Sequence, residues 1–181
     1  MDRPKAEEIE DWYESYSSLL FKYLFLMTNN SQTAEDLTQE TFLKAFQKYE
    51  SFKRDSSPKT WLFKLAYHTA IDYLRRRKAL TMIKGFLLAS PQDTGPTPEE
   101  VLLVKERSIE LFTSITALKE TYRSVIILRK IQGFSIEETS EILGWSVSKV
   151  KSTTYRALQA LEKELIKGGW NYAEVMGREE Y

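Results

Sequence analysis

Two stretches of this 181-residue chain concentrate basic and hydroxyl side chains, which are the groups best suited to binding a partner. The first stretch ends in Arg75-Arg76-Arg77-Lys78, and the second, from Ser148 to Arg156, mixes serine, lysine, tyrosine and arginine. Lysine and arginine can reach phosphates or guanine edges, and serine and threonine can contact either. Both stretches therefore indicate binding to nucleic acid.

The acidic residues give no sign of acid–base catalysis. Glu99-Glu100 and Glu137-Glu138 are sequence neighbours, so on helices their side chains would point to different faces. The chain has no cysteine and one histidine, which excludes disulfides, thiolate chemistry and the usual zinc ligand sets. It also has no phosphate-binding glycine loop or nucleophile motif. We expect no catalytic residue, metal or cofactor, and an enzyme with a helical fold is an alternative that no motif supports.

Composition indicates a globular helical protein. Hydrophobic residues make up 42% and charged residues 29%, while seven glycines and five prolines leave long runs without helix breakers. No run approaches the roughly 18 apolar residues of a membrane span. The first residues also lack the apolar core of a secretory signal. We therefore expect a cytoplasmic protein without membrane insertion.

The net charge of zero hides an uneven distribution along the chain. Residues 1–50 carry a net charge of −5, and residues 51–90 a net charge of +7. Such a protein can bind DNA on its basic side and another partner on its acidic side. Ordinary solvated helix faces would give the same distribution, so charge alone leaves both interpretations open.

Apolar residues at helical spacing predict three helices in a first domain, residues 1–80. The first helix contains Trp12 to Met27, the second runs from about Gln32 to Tyr49, and the third from about Pro58 to Lys78. The Lys53-to-Pro58 segment is expected to be a loop, because proline disfavours a helical residue before it. The inward side of the second helix is expected to consist of Ala34, Phe42, Ala45, Phe46 and Tyr49.

A proline-rich linker, residues 81–98, is predicted to separate this domain from a second one, residues 99–167. Within the linker, the apolar stretch from Ile83 to Leu88 could dock on a neighbouring domain or partner. Helices are expected from about Glu99 to Ala117 and from about Tyr122 to Gln132, and residues 168–181 form a tail. The predicted fold is all-α: two small helical domains joined by a flexible linker.

The second domain contains a predicted helix-turn-helix. Ser135 and Glu138 fit a capping box, Gly144 fits a left-handed helix end, and Ser146 can cap the next helix. A glycine turn between two helices places the second helix in the major groove of DNA. An ordinary helical hairpin with a polar outer face is the alternative. The inward stripe of the second helix is expected to be Val150, Thr154, Leu158, Leu161 and Leu165.

Several segments resemble the sigma factors of bacterial RNA polymerase. AEDLTQETF at 34–42 is similar to a sigma signature, and KTWL at 59–62 with AIDYLRRR at 70–77 resembles the promoter-melting helix. YRSVIILR at 122–129, EILGWS at 141–146 and VKS at 150–152 resemble the C-terminal sigma domain. The segments keep the family's order over residues 7–167. Because it lacks further sigma regions, the chain resembles the small extracytoplasmic-function group.

This resemblance implies binding to core RNA polymerase through the coiled coil of its largest subunit and through its flap. The first contact would use the outward face of the second helix, whose polar rim around one leucine suits a reversible interface. A solvated helix face is the alternative for its carboxylates. The expected polymerase-binding residues are Asp36, Gln39, Glu40 and Leu43.

The resemblance also implies recognition and opening of the minus-10 promoter element. A loop from Phe52 to Lys59 would receive an unstacked base, while the arginine cluster would bind phosphates. His68 stands where relatives commonly carry asparagine; it could contact a base, or be an ordinary packing or surface residue. Trp61 is expected to be structural. The expected minus-10 residues are Lys53, Arg54, Ser56, Lys59, Thr60, His68, Arg75, Arg76 and Arg77.

Recognition of the minus-35 element would belong to the second helix of the helix-turn-helix. Thr153 and Leu158 stand where relatives carry arginine, which predicts weaker phosphate anchoring or a different sequence preference. The expected minus-35 residues are Ser148, Lys149, Lys151, Ser152, Thr153, Tyr155 and Arg156.

The chain could be a helix-turn-helix transcription regulator that does not act through core polymerase, although such a protein has no need of the acidic signature at 36–42. It could also be a helical interaction protein only, which would leave the basic face of the helix-turn-helix unexplained. Two domains on a linker could further be held by an inhibitory anti-sigma protein.

Overall fold

A computed structural model describes residues 4–85 and 106–169, which form helices and connecting turns with no strand. The described helices lie in two compact units, as the all-α prediction requires. The first unit contains α1 (Lys5–Thr28), α2 (Ser31–Gln47), a 3₁₀ turn (Tyr49–Ser51) and α3 (Pro58–Gly85). The second contains α4 (Glu106–Ala117), α5 (Glu120–Ile126), a π turn (Ile127–Ile131), the greater part of α6 (Ile136–Leu143) and α7 (Val147–Lys167).

A short connection joins α1 to α2. Asn29 adopts a left-handed conformation (φ 54°), which ends α1, and its amide donates to the carbonyl of Phe25 at 2.8 Å. The side chain of Asn30 then accepts a hydrogen bond from the amide of Thr33 at 2.8 Å and so caps α2. Asparagine suits both positions because its short polar side chain tolerates left-handed backbone and bonds to nearby amides.

The core of the first unit lies between its three helices. Leu20, Tyr23 and Leu24 of α1 are fully buried, as are Leu62 and Phe63 of α3. The rings of Tyr23 and Phe63 lie 5.4 Å apart, centre to centre. Burial of each such side chain contributes about 1.5–3 kcal/mol to folding, so these contacts stabilise the packing of α1 on α3.

The predicted inward side of α2 is partly wrong. Ala34, Phe42 and Ala45 are buried, but the side chain of Phe46 is 45% exposed. The buried stripe instead continues through Leu37, Thr38 and Thr41. Phe46 follows the buried Ala45 by one residue and is therefore rotated about 100° away from the core. Tyr49 lies beyond α2, in the 3₁₀ turn.

Helix α3 begins at Pro58, as predicted, but continues to Gly85 instead of ending near Lys78. The added turns contain no proline, and the first glycine after Pro58 is Gly85 itself, so nothing in the sequence interrupts the helix earlier. Leu80, Met82 and Ile83 are exposed on this extension. The rest of the predicted linker and docking stretch, the start of the helix expected at Glu99 and tail residues 170–181 lie outside the described residues.

The second unit packs α7 against α4 and α5. Between α5 and α6 the helix widens into a π turn, in which the amide of Gln132 donates to the carbonyl of Ile127 at 2.8 Å. Arg123 of α5 donates to the carbonyls of Leu118 (3.0 Å) and Thr116 at the end of α4. Burial lowers the pKa of Arg123, so these carbonyl contacts stabilise a desolvated cation.

Candidate nucleic-acid interface

Reciprocal capping positions α6, the first helix of the helix-turn-helix. The amide of Ser135 donates to the carboxylate of Glu138 at 2.8 Å, and the amide of Glu138 donates to the Ser135 hydroxyl at 3.0 Å. Helix α6 ends before Gly144, whose φ is +64°. Ser146 then caps α7 by accepting a hydrogen bond from the amide of Lys149 at 3.2 Å. The predicted capping box, glycine turn and cap are therefore present.

The outer face of α7 carries the expected contact residues. Arg156 is held along the helix, because its Nε donates to the carbonyl of Ser152 at 3.2 Å and its terminal nitrogen to the Ser152 hydroxyl at 3.4 Å. The remaining donors of the guanidinium can reach a phosphate or a guanine edge. Six expected residues are exposed on this helix: Ser148, Lys149, Lys151, Ser152, Tyr155 and Arg156.

Thr153 does not belong to the exposed face. Its side chain is 5% exposed, because it follows Val150 by three residues and precedes Ala157 by four, and both of these are fully buried. The predicted inward stripe is correct at its ends, where Val150 and Leu165 are buried, but wrong between them. Thr154 and Leu161 are half-buried and Leu158 is 37% exposed, so the seam runs through Thr153 and Ala157 to Leu165.

Trp145 contributes a contact that the sequence patterns did not predict. The ammonium group of Lys149 lies 4.3 Å from the centre of the Trp145 ring. The carbonyl of Trp145 in turn accepts a hydrogen bond from the Ser140 hydroxyl at 2.5 Å, which ties the turn to α6. An aromatic residue four positions before a lysine at a helix start is the signal that could have indicated this cation–π contact.

The loop between α2 and α3 is closed by an ion pair from α1. Arg54, expected to contact DNA, has a left-handed backbone (φ 61°) and bonds both oxygens of the Glu8 carboxylate, at 3.1 and 2.8 Å. The hydroxyl of Tyr49 donates to the same carboxylate. This hydrogen bond is the main reason that the pKa of Tyr49 lies above its ordinary value. Sequence reasoning missed Glu8, which is 46 residues from Arg54.

Aromatic rings support the same loop. Trp61 packs on Phe52 (ring centres 5.0 Å apart) and on Trp12 (5.9 Å), in keeping with the structural role predicted for it. Thr60 was expected to contact DNA but is 1% exposed, with its amide donating to the Ser57 hydroxyl at 3.1 Å. Ser57 thus caps α3, and its hydroxyl also lies 2.9 Å from that of Thr60. The other expected loop residues are accessible: Lys53 is exposed, and Ser56 and Lys59 are half-buried.

His68 lies on the exposed side of α3. Its Nδ1 is 2.7 Å from the carbonyl oxygen of Lys64. Because a carbonyl only accepts, Nδ1 carries the proton in the neutral ring, and Nε2 is left as an acceptor. Such an acceptor can bind an exocyclic amine of adenine or cytosine.

The arginine cluster follows on the same helix. Arg75 and Arg76 are exposed, and Arg77 is half-buried. Arg75 lies 3.7 Å from the carboxylate of Asp72, and Arg76 donates to the backbone carbonyl of Asp72 at 3.3 Å. Contacts of exposed arginines at these distances are weak and leave most of their donors accessible to phosphates.

A second accessible surface lies on α2. Asp36 and Gln39 are exposed, Glu40 is half-buried, and Leu43 is 64% exposed. Glu40 pairs with Lys44 at 2.6 Å, and Lys44 donates to the Thr69 hydroxyl of α3 at 3.0 Å. The exposed ring of Phe46, one turn beyond Leu43, enlarges the apolar centre of this surface. The sequence prediction did not include Phe46 here because it placed that residue on the inward side of α2.

The described residues contain no group of three acidic, histidine or cysteine side chains placed to hold a metal ion. Among the same residues, no helix combines the length and apolar character that crossing a membrane requires.

Comparison with known proteins assigns both units. A family model for sigma-70 region 2 matches residues 12–80, and one for sigma-70 region 4 matches residues 108–161. The RNA polymerase sigma factor YlaC of Bacillus subtilis is 42% identical over 164 residues, which cover 89% of this chain and 94% of the relative. The ECF RNA polymerase sigma factor SigX of the same organism is 36% identical over 157 residues, 84% of this chain and 81% of the relative.

A solved structure shares the fold. The sigma factor RpoE of Bartonella quintana, in complex with the anti-sigma factor NepR, matches with a TM-score of 0.70 at 23% identity, covering 89% of this chain and 98% of that one. The chain belongs to the sigma-70 family, within its extracytoplasmic-function (ECF) group of RNA polymerase sigma factors.

Proposed function

We propose that this sigma factor directs core RNA polymerase to promoters by binding the minus-35 element with α7 and the minus-10 element with α3 and the preceding loop. The observation that carries the proposal is the exposed face of α7, which presents Lys149, Lys151 and Arg156 immediately after a capped glycine turn. That geometry suits insertion of a helix into the major groove.

At the minus-35 element, the exposed residues of α7 divide into two roles. Arg156 and the lysines can bind guanine edges or phosphates, whereas Ser148, Ser152 and Tyr155 offer hydroxyl groups. Thr153 is buried and has no place at this surface.

At the minus-10 element, strand opening requires a site that prefers unstacked bases to duplex DNA. The loop with Lys53, Ser56 and Lys59 provides positive charge and hydroxyls next to an aromatic cluster. His68 offers an acceptor for a base, and Arg75, Arg76 and Arg77 bind phosphates. Extruding a base costs a few kcal/mol, which these contacts offset.

Docking on polymerase is assigned to α2, through Asp36, Gln39, Glu40 and Leu43, with the coiled coil of the largest subunit as the partner. The polymerase flap is a second contact. The exposed Leu43 and Phe46 form an apolar centre within a polar rim, as in reversible interfaces. The protein acts in the cytoplasm, catalyses no reaction of its own and needs no cofactor.

An anti-sigma factor is proposed as the regulatory partner. The solved relative of similar fold was captured with one, and the exposed α2 surface is accessible to such a partner in the described structure. Binding there would compete with polymerase, so the two partners exclude each other.

Run-off transcription with bacterial core polymerase on a library of upstream DNA tests the proposal. We expect transcripts that depend on this protein and that disappear with Asp36→Lys or Arg156→Ala. Glu14→Lys repeats the first charge change on α1, and Lys163→Ala removes an exposed charge late in α7; both should transcribe normally. Duplex binding without any dependent transcript would instead indicate a regulator that does not act through polymerase.

A further inference from the structure

We propose that Glu8 is a positioning residue for the loop that connects α2 to α3, and that Arg54 stabilises this loop instead of binding a DNA phosphate. The inference rests on the proposed function of the loop, which is to receive an unstacked promoter base. Helix α1 thereby takes part in promoter recognition, and Arg54 is not one of the minus-10 contacts.

The carboxylate of Glu8 lies in an environment that requires a partner of opposite charge. Its side chain is only 13% exposed, although the residue is charged. A carboxylate with so little access to water is costly unless charge and hydrogen bonds compensate for the lost hydration. Arg54 supplies a two-pronged contact at 3.1 and 2.8 Å, and the Tyr49 hydroxyl supplies another donor. Glu8 and Arg54 therefore depend on each other.

The backbone of Arg54 adopts a conformation that its side-chain contacts must stabilise. A φ of 61° is disfavoured for a residue with a β-carbon, so something must hold the chain there. The bidentate contact fixes the guanidinium, and Arg54 also lies 5.8 Å from the centre of the Phe52 ring. Through these contacts the side chain maintains the turn that sets the direction of Lys53 and Ser56.

The positive charge of Arg54 is paired with the carboxylate of Glu8. Both terminal nitrogens of its guanidinium donate to the same carboxylate, and Glu8 raises the pKa of Arg54 mainly through these hydrogen bonds. Its positive charge is thus balanced within the protein. The Arg54 side chain is still 63% exposed, but a phosphate that approached it would be repelled by the carboxylate of Glu8, whereas the neighbouring Lys53 is exposed and accessible.

Amide hydrogen exchange of the full chain without DNA tests the positioning directly. We expect loop residues 52–57 to exchange several-fold faster in Glu8→Gln and in Arg54→Ala than in the natural chain, while core amides of α2 and α3 keep their protection. Glu7→Gln is the matched control, because it makes the same charge change at an exposed position one residue away. Unchanged loop protection in Glu8→Gln would overturn the inference.

Binding to single-stranded minus-10 oligonucleotides, with each base varied in turn, tests the link to recognition. We expect Glu8→Gln to reduce the preference between bases several-fold, Glu7→Gln to preserve it, and Glu8→Arg with Arg54→Glu to restore part of it. Arg54→Ala should leave the salt dependence unchanged, whereas loss of a phosphate contact lowers its slope by about 0.7.

A reduced salt slope in Arg54→Ala, with normal base preference in Glu8→Gln, would show that Arg54 binds DNA and would refute the inference. Absence of any base preference in the natural chain is a different result. It would refute the proposed function of the loop, and the exchange measurement alone would then decide whether Glu8 positions it.

Discussion

The ammonium group of Lys149 lies 4.3 Å from the centre of the Trp145 ring, which joins the turn of the helix-turn-helix to the first turn of α7. The contact orients one of the exposed basic residues before DNA arrives. The turn and α7 therefore present Lys149 as a unit.

Replacing the ring should weaken binding to promoter duplex. An exposed cation–π contact is worth about 0.5–1 kcal/mol, so Trp145→Leu is expected to reduce affinity roughly two- to fivefold. Trp145→Phe keeps a ring and should lose less. Fluorescence anisotropy with a minus-35 duplex measures the effect, and tighter binding by Trp145→Leu would show that the ring withholds Lys149 from DNA.

An arginine at position 153 should destabilise this protein. Thr153 is 5% exposed between Val150 and Ala157, so Thr153→Arg must overpack the seam or bury a charge. We expect the free energy of unfolding to fall by at least about 2 kcal/mol in urea denaturation. Ser152→Arg, on the exposed face, should unfold as the natural chain does. Equal stability of the two variants would contradict the buried position of Thr153.

The capping box should contribute measurably to the second unit. Ser135→Ala removes the acceptor for the Glu138 amide, now at 3.0 Å, and is expected to cost about 1 kcal/mol of unfolding free energy. Ser135→Thr should retain most of it. Ser148→Ala, an exposed serine within α7, serves as the control; a loss as large as that of Ser135→Ala would exclude capping as the cause.

Gly144 is required for its backbone conformation and not for space. Its φ is +64°, yet an added β-carbon would meet no atom within 4 Å. We expect Gly144→Ala to lower the free energy of unfolding by about 1–2 kcal/mol, since left-handed backbone disfavours alanine. Gly144→Asn should lose less, because asparagine tolerates this region. Thermal unfolding distinguishes the two, and identical losses would point to steric conflict.

Tyr49 should make stability fall in the alkaline range. Its pKa is raised, mainly by the hydrogen bond to Glu8, so the folded state favours the neutral phenol. A raised pKa gives a contribution that is complete below the unfolded value and is lost as pH rises through the folded value. The unfolding midpoint of Tyr49→Phe should therefore decline less with pH. Parallel decline of the two proteins would exclude Tyr49 as the source.

Sequence patterns predict the helix-turn-helix well because its determinants are local. The Ser135–Glu138 and Ser146–Lys149 bonds each join residues three positions apart, and such spacings are visible in a sequence. The contact between Glu8 and Arg54 spans 46 positions and has no periodic signal. It follows only from how α1 packs beside the loop.

Errors in the predicted faces arose where small or polar residues form the core. On α7, the seam between Val150 and Leu165 passes through Thr153 and Ala157, where the prediction had placed Thr154, Leu158 and Leu161. On α2, the buried Thr38 and Thr41 satisfy their hydroxyls by bonding to the carbonyls of Ala34 and Leu37, both at 2.7 Å. Threonines that bond within the helix can occupy core positions that hydrophobic periodicity assigns to larger neighbours.

The π turn at Ile127–Ile131 amounts to one residue more than an α-helical path would hold. Deleting a single residue there would restore a regular helix but rotate the residues that follow by about 100° about the helix axis. Arg129, which now donates to the carbonyl of Phe134, would lose that partner, and α6 would leave α5 in another direction. The extra residue therefore works as a spacer that sets the angular phase between α5 and the helix-turn-helix.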